Sequence, residues 1–314
     1  MNIFEHLQPN VVWALGSLFA LLALASLIAH TLKIVNREKD YSELLNRIHS
    51  WWAMASLFTL AFLADRTLTM VFFGLVSFLA LKEYLSLIPT RRADRRVLFW
   101  AYLTIPFQFY WAGIEWYGMF IIFIPVYAFL FLPMRMVLIG ETQGFLRAAG
   151  TLHWGVMITV FSLSHVAYLL VLPQHGNPVA GGAGLVFFLV VLTQLNDVFQ
   201  YLWGKLLGRN KIIPKVSPNK TREGLIGGML TTTALAVLLA PWLTPLSLSE
   251  AVAAGILIAM AGFLGDVTVS ALKRDLKVKD SGSLLPGHGG ILDRVDSLTY
   301  TAPLFFHYVY YLHY

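Results

Sequence analysis

The run GDVTVSALKRDLKVKDSGSLLPGHGGILDRVDS, Gly265 to Ser297, is the polar stretch that the rest of the chain is built to house. It lies between two apolar segments of membrane-spanning character, near 250–271 and 297–312. It holds Asp266, Asp275, Asp280, Asp293 and Asp296, the bases Lys273, Arg274, Lys277, Lys279 and Arg294, and the turn Pro286-Gly287-His288-Gly289-Gly290. Glycines let backbone N–H groups converge on an anion, Lys and Arg neutralise phosphate oxygens, and carboxylates hold a divalent cation. Together these point to phosphoryl or nucleotidyl transfer at a membrane face.

Composition agrees with the membrane setting. The 314 residues are 57% hydrophobic and only 13% charged, where a soluble domain carries about 25% charge. Apolar runs recur at roughly the length a bilayer requires. We read them as about ten spans near 11–33, 50–64, 67–88, 97–113, 117–137, 151–173, 182–203, 224–246, 250–271 and 297–312, an all-α polytopic membrane protein. The chain forms a single membrane domain, 1–314, with an N-terminal helical part (1–181) and a C-terminal part (182–314) carrying the polar loops. With no cysteine, disulfides, thiolate metal sites and thiol nucleophiles are excluded. Met1 to Asn10 lacks a basic n-region, so no cleavable signal is expected.

Net charge +6 suggests nucleic acid until its placement is considered. Basic residues follow the first, third, fifth, seventh and ninth spans: Arg91, Arg92, Arg95 and Arg96 after the third, for example, and Lys205 to Arg222 after the seventh. Only Arg66 stands in an opposite loop. This asymmetry predicts both termini outside and the charged loops in the cytoplasm, with no nucleic-acid partner. Trp51, Trp52, Trp111, Trp116, Trp203 and Trp242 read as interfacial anchors.

Asp197 and Asp266 lie within spans, near their cytoplasmic ends. A carboxylate there costs about 2.5–3.5 kcal/mol on insertion scales, so it is rarely idle. A structural ion pair is the plain alternative to a polar pocket, and Asn196 beside Asp197 favours a hydrated one. Asp293 and Asp296, at i and i+3, share one side of a helix start, although acidic residues favour helix N-termini in any case. Asp266 and Asp293 are the expected ligands of Mg²⁺. In the loop GKLLGRNKIIPKVSPNKTREG, Ser217, Pro218, Asn219, Lys220 and Thr221 suit phosphate or ribose recognition. Lys205 and Arg209 are more simply topogenic. His288 in its glycine turn is expected to hydrogen-bond backbone, with acid–base catalysis the alternative. His165 is expected to bond between helices. Gly224, Gly227 and Gly228 are expected to let helices approach.

The spacing Ser270-x-x-Lys273-Arg274-x4-Lys279-Asp280-x5-Pro286-x-His288-Gly289-Gly290-x-x-Asp293-Arg294-x-Asp296 resembles the signature of the CDP-diacylglycerol synthases (phosphatidate cytidylyltransferases). Pro214, Lys215, Ser217, Pro218, Lys220, Thr221, Glu223 and Gly224 are similar to that family's P-K-x-S-P-x-K-T-x-E-G segment, and Gly204, Lys205 and Gly208 to its G-[RK]-x-x-G preamble. In the first half the likeness reaches no further than the hydrophobic layout and Lys82-Glu83. The sequence departs at Val269, where the family has Glu, and at Arg222, where it has Trp. It departs again in Asp197-Val198-Phe199-Gln200-Tyr201, which stands for D-T-G-A-Y. The departures indicate a paralogous branch with altered substrate selection.

The resemblance implies condensation of CTP with phosphatidic acid, or a related lipid phosphate, to CDP-diacylglycerol and pyrophosphate. It implies Mg²⁺ with a monovalent ion such as K⁺ beside it, a homodimer, and residence in the bacterial inner membrane with the site facing the cytoplasm. Lys273, Arg274, Lys279, Asp280, Asp293 and Arg294 would serve the reaction. Asn196, Asp197, Ser217, Pro218, Lys220, Thr221, Ser270, His288, Gly289, Gly290 and Asp296 would bind substrate, and Asp266 and Asp293 the metal. Two rivals are a lipid or ion transporter and a family member that has lost catalysis and binds anionic lipid. Ionisable groups crowd at one end of the spans, which argues against transport.

Overall fold

Backbone N–H and C=O groups in a bilayer must find partners within their own segment, and helices achieve this. The computed structural model describes residues 7–36, 40–91, 94–282 and 289–314. Its long elements are α1 (Pro9–Val35), α2 (Ser42–Ala64), α3 (Arg66–Leu87) and α4 (Arg95–Gly113). Next come α5 (Tyr117–Ile122), which passes through a π-helical turn at Phe123–Ala128 into α6 (Phe129–Val137), and α7 (Phe145–Val156), which passes through a second at Met157–Phe161 into α8 (Ser162–Val171). Then follow α9 (Gly181–Leu207), α10 (Arg222–Leu243), α11 (Leu248–Asp275), the single turn α12 (Leu292–Val295) and α13 (Leu298–His313). No strand occurs among the described residues; Lys211 and Thr221 form an isolated antiparallel bridge.

Seven of these helical runs are long and apolar enough to cross a membrane: α1, α3, α5–α6, α7–α8, α9, α10 and α11. The other three expected segments are occupied by α2, α4 and α13. α2 begins at Ser42 rather than near 50, because its first turns carry Arg47 and His49 and hydropathy does not mark them.

α8, α9, α11 and α13 supply much of the core, with Phe188 stacked on Phe305. α10 packs on α9 through the expected glycines: a Cβ on Gly224 would lie 2.7 Å from the Gln200 carbonyl oxygen, and one on Gly227 would strike the Trp203 ring. His165 differs from expectation. Its Nδ1 meets the Phe161 carbonyl of its own helical run at 2.7 Å, and its ring packs among Phe120, Phe161 and Phe306.

The two ends of the bundle are tied differently. At one, Arg66 pairs with Glu115 at 2.5 Å and Asn177 donates to the Leu243 carbonyl. At the other, Arg91 forks onto Asp94 and also donates to the carbonyls of Glu141 and Gln143. That second end gathers the close of α3, the α9–α10 loop, the close of α11 and α12.

Candidate active site

α9, α10 and α11 bring the first group of polar side chains together. Thr221 caps α10 by accepting from the Gly224 N–H at 3.1 Å. Glu223 accepts from the N–H groups of Arg209 and Asn210, closing the α9–α10 loop. The closed loop turns Lys220 back into the bundle. Its Nζ lies 2.6 Å from Asp266 Oδ2 and donates to Gln200 Oε1 at 3.1 Å. Burial works against this ammonium, but Asp266 and then Asp197 outweigh it and raise the Lys220 pKa.

Gly265 makes the next approach possible. A Cβ there would lie 2.5 Å from the Asp296 carbonyl oxygen, so α11 comes close to the junction of α12 and α13. Asp266 thereby becomes a neighbour of Asp296. Burial first, then the carboxylates of Asp266 and Asp197, push the Asp296 pKa well above its ordinary value. Ser270 Oγ donates to Asp266 Oδ1 at 3.2 Å, Ser297 Oγ to Asp197 Oδ2 at 2.9 Å, and Ser297 N–H to Asp296 Oδ1 at 2.8 Å. Asp197 Oδ1 is buried with no hydrogen-bond partner among the described residues. We call this group, Asp197, Asp266 and Asp296 around Lys220, the recess.

Asp293, three residues before Asp296, sits in a cradle. Lys273 Nζ reaches its Oδ1 at 2.7 Å. Its Oδ2 accepts from Ser281 N–H at 2.8 Å, Ser281 Oγ at 3.0 Å and Gly290 N–H at 3.1 Å. Burial works to raise this pKa, but Lys273 and the two N–H groups prevail and hold it below the ordinary carboxylate value. Gly289 adopts φ 76°, and a Cβ there would lie 2.5 Å from Asp293 Oδ2, so glycine is required twice over. The Gly290 N–H is thus engaged by the Asp293 carboxylate rather than offered to a substrate phosphate.

The remaining expected residues divide. Asn196 is buried between helices, donating to the Ala259 carbonyl at 3.3 Å and accepting from Thr232 Oγ1 at 3.2 Å, so it clasps α9, α10 and α11. Arg274 is exposed and donates to the Val216 carbonyl at 3.2 Å, bracing the loop that carries Ser217 and Pro218. The Ser217 carbonyl accepts from the Lys220 N–H, and Pro218 is exposed. Lys279 and Asp280 are also exposed. The Arg294 carbonyl accepts from Gln194, and its Nε is buried without a partner among the described residues. Pro286, Gly287 and His288 lie outside the described residues.

Glu83 was not among the expected site residues. Its carboxylate, at the close of α3, accepts from Ile291 N–H at 2.9 Å, Leu292 N–H at 2.8 Å and Ser281 Oγ at 3.1 Å. It therefore clamps both sides of the chain that cradles Asp293. A Glu inside an apolar helix was the available signal. Gln200, Ser281 and Ser297 also join the site.

The arrangement presents carboxylates and ammonium groups at the end of a membrane bundle, the equipment for handling a polyphosphate beside a lipid. The sequence profile of the cytidylyltransferase family matches residues 45–312, and the chain belongs to that family, which makes it a nucleotidyltransferase. It is 47% identical over 298 residues to "Uncharacterized protein YnbB" of Escherichia coli K12, covering 95% of this chain and 98% of that protein. It is 45% identical over 129 residues to phosphatidate cytidylyltransferase 4, chloroplastic, of Arabidopsis thaliana, covering 40% of this chain and 33% of the relative. It is 39% identical over 124 residues to a phosphatidate cytidylyltransferase of Staphylococcus saprophyticus, covering 39% and 48% respectively. The match thus spans a third to a half of the relatives that carry an activity in their names.

Proposed function

We propose that the chain condenses CTP with phosphatidic acid, or a related lipid phosphate, at the cytoplasmic face of a bacterial inner membrane. A phosphate oxygen of the lipid attacks the α-phosphorus of CTP. A new P–O bond forms, the bond from that phosphorus to the bridging oxygen breaks, and its electron pair leaves on pyrophosphate. The second pKa of a phosphate monoester lies near 6, so the attacking group is largely a dianion at neutral pH and needs no general base. The protein's contribution is then alignment and charge compensation.

The observation that carries this reading is the recess: Asp197, Asp266 and Asp296 are electrostatic neighbours around one lysine, and Asp197 Oδ1 has no donor among the described residues. Among the described residues no three acidic or histidine side chains form a cation cage by themselves. Mg²⁺ commonly takes one or two carboxylates and completes its shell with water and substrate phosphates. Asp266 and Asp197 would hold it. Asp293, the second ligand expected from the sequence, would join by releasing Lys273. When bound, the cation would neutralise triphosphate oxygens. Lys220 and Lys273 stand ready to balance further negative charge, and K⁺ and a homodimer remain part of the proposal by resemblance.

The test is a reaction of purified protein in detergent with labelled CTP, Mg²⁺ and a panel of phospholipids, read by mass spectrometry. CDP-diacylglycerol and pyrophosphate are expected from phosphatidate. Intact CTP with every lipid phosphate, from folded protein, would overturn the proposal.

A further inference from the structure

Gln200 stands on α9 beside the recess, four residues after Asn196 and three after Asp197, so it shares their side of the helix. The residue is 4% exposed. Its Oε1 accepts from Lys220 Nζ at 3.1 Å. This contact fixes the amide's orientation, because an ammonium only donates and the other amide atom only donates as well. The Nε2 group is therefore the end left over. It is buried and has no hydrogen-bond partner among the described residues. Buried donors in folded proteins are almost always paired, so this one is short of an acceptor.

α10 makes room for this side chain. A Cβ on Gly228 would lie 2.5 Å from Gln200 Cγ, so any larger residue there would displace the amide. A glycine on one helix and a long polar side chain on the next thus form a matched pair beside Lys220 and Asp266. Apolar packing alone would be better served by an alkyl group, which leaves no donor stranded.

We propose that Gln200 is a substrate-binding residue whose amide N–H₂ donates to a phosphoryl oxygen of a substrate held in the recess. The inference rests on the function proposed above and deepens it. The oxygen belongs either to the triphosphate or to the lipid phosphate, and kinetics with each reactant varied separately distinguish the two.

Two variants separate a donor from a mere prop for Lys220. Gln200→Glu keeps an acceptor for Lys220 but turns the donor into a second anionic oxygen. Gln200→Met keeps the length and loses both functions. With a donor role, Gln200→Glu raises the KM of one reactant by about tenfold to a hundredfold, the range for a lost hydrogen bond to a charged group, and Gln200→Met raises it less. A rise confined to CTP assigns the oxygen to the nucleotide; a rise confined to phosphatidate assigns it to the lipid. If Gln200→Glu matches the parent or outperforms Gln200→Met, or if both KM values rise equally, the donor assignment is overturned. Thermal unfolding with CTP–Mg²⁺ and with pyrophosphate–Mg²⁺ runs in parallel. A parent protein that these ligands stabilise but that turns nothing over refutes the proposed reaction, while the donor role is still judged by whether Gln200→Glu loses that stabilisation. Retained stabilisation in Gln200→Glu assigns the oxygen to the lipid if the KM for phosphatidate rises, and removes the donor role if it does not.

Discussion

Asp293, in the single turn α12, and Asp296, just after it, stand three residues apart and occupy opposite surroundings. The cradle saturates Asp293 with an ammonium, a hydroxyl and two backbone N–H groups. The recess crowds Asp296 against Asp197 and Asp266 and leaves an Asp197 oxygen without a donor among the described residues. A saturated carboxylate holds its own loop together and gains stability by being charged. An undersupplied group of carboxylates costs stability by being charged, and a cationic ligand would relieve it. The difference separates a carboxylate held by its own loop from one crowded by its neighbours.

The comparison breaks most severely at Lys220, the cation shared by the recess. Lys220→Met should lower turnover by about two to three orders of magnitude, the scale for removing one preorganised charge-stabilising group. Steady-state rates on membrane-inserted protein check this, and activity within tenfold of the parent would contradict it.

Stability should then change in opposite directions for the two aspartates. Asp293→Asn is expected to destabilise the fold by about 2–3 kcal/mol through the weakened Lys273 contact. Asp296→Asn is expected to stabilise it by about 1 kcal/mol while reducing activity, since a neutral side chain relieves the crowding. Thermal unfolding in detergent measures both, and shifts of the same sign would erase the distinction between cradle and recess. The pH dependence follows the same signs. The lowered Asp293 pKa contributes stability that is present above its ordinary value of 3.8 and lost as pH falls through the lowered value. The raised Asp296 pKa contributes stability that is present below 3.8 and lost as pH rises through the raised value.

Glu83 sharpens the contrast at one remove. Glu83→Gln keeps an acceptor for only part of the clamp and should reduce kcat about tenfold with little change in KM for either reactant. A loss confined to KM would place Glu83 in substrate binding instead. Smallest of all, Lys279→Gln, at an exposed position outside both groups, should alter turnover by less than about threefold. A hundredfold loss would return Lys279 to the reaction centre.

Helix positions were legible because burial of backbone in a bilayer is a local property that hydropathy reports. α9, α10 and α11 therefore fell where the apolar runs lay, and the glycines of α10 packed as their spacing suggested. Asp197, Asp266, Asp293 and Asp296 were legible as charges out of place in apolar surroundings. Partnerships were harder to read. The contact of Glu83 with Leu292 joins residues 209 positions apart, and no period or spacing encodes it. Asn196 looked like the edge of a wet pocket, yet in the fold its amide is consumed between helices. Arg274 was expected to serve the reaction, and in the fold its Nε donates to a carbonyl of the neighbouring loop. Residue type announced polarity in each case, and three-dimensional packing decided what satisfied it.

The clamp at the close of α3 also bears on how this gene product tolerates being divided. Cut in the connection before α9, the second fragment would carry every aspartate of the recess and cradle yet lack the acid that orders Ser281, Ile291 and Leu292. Co-expressed fragments would regain activity only by finding each other in the bilayer, so split-chain complementation becomes a direct reporter of whether the halves have docked.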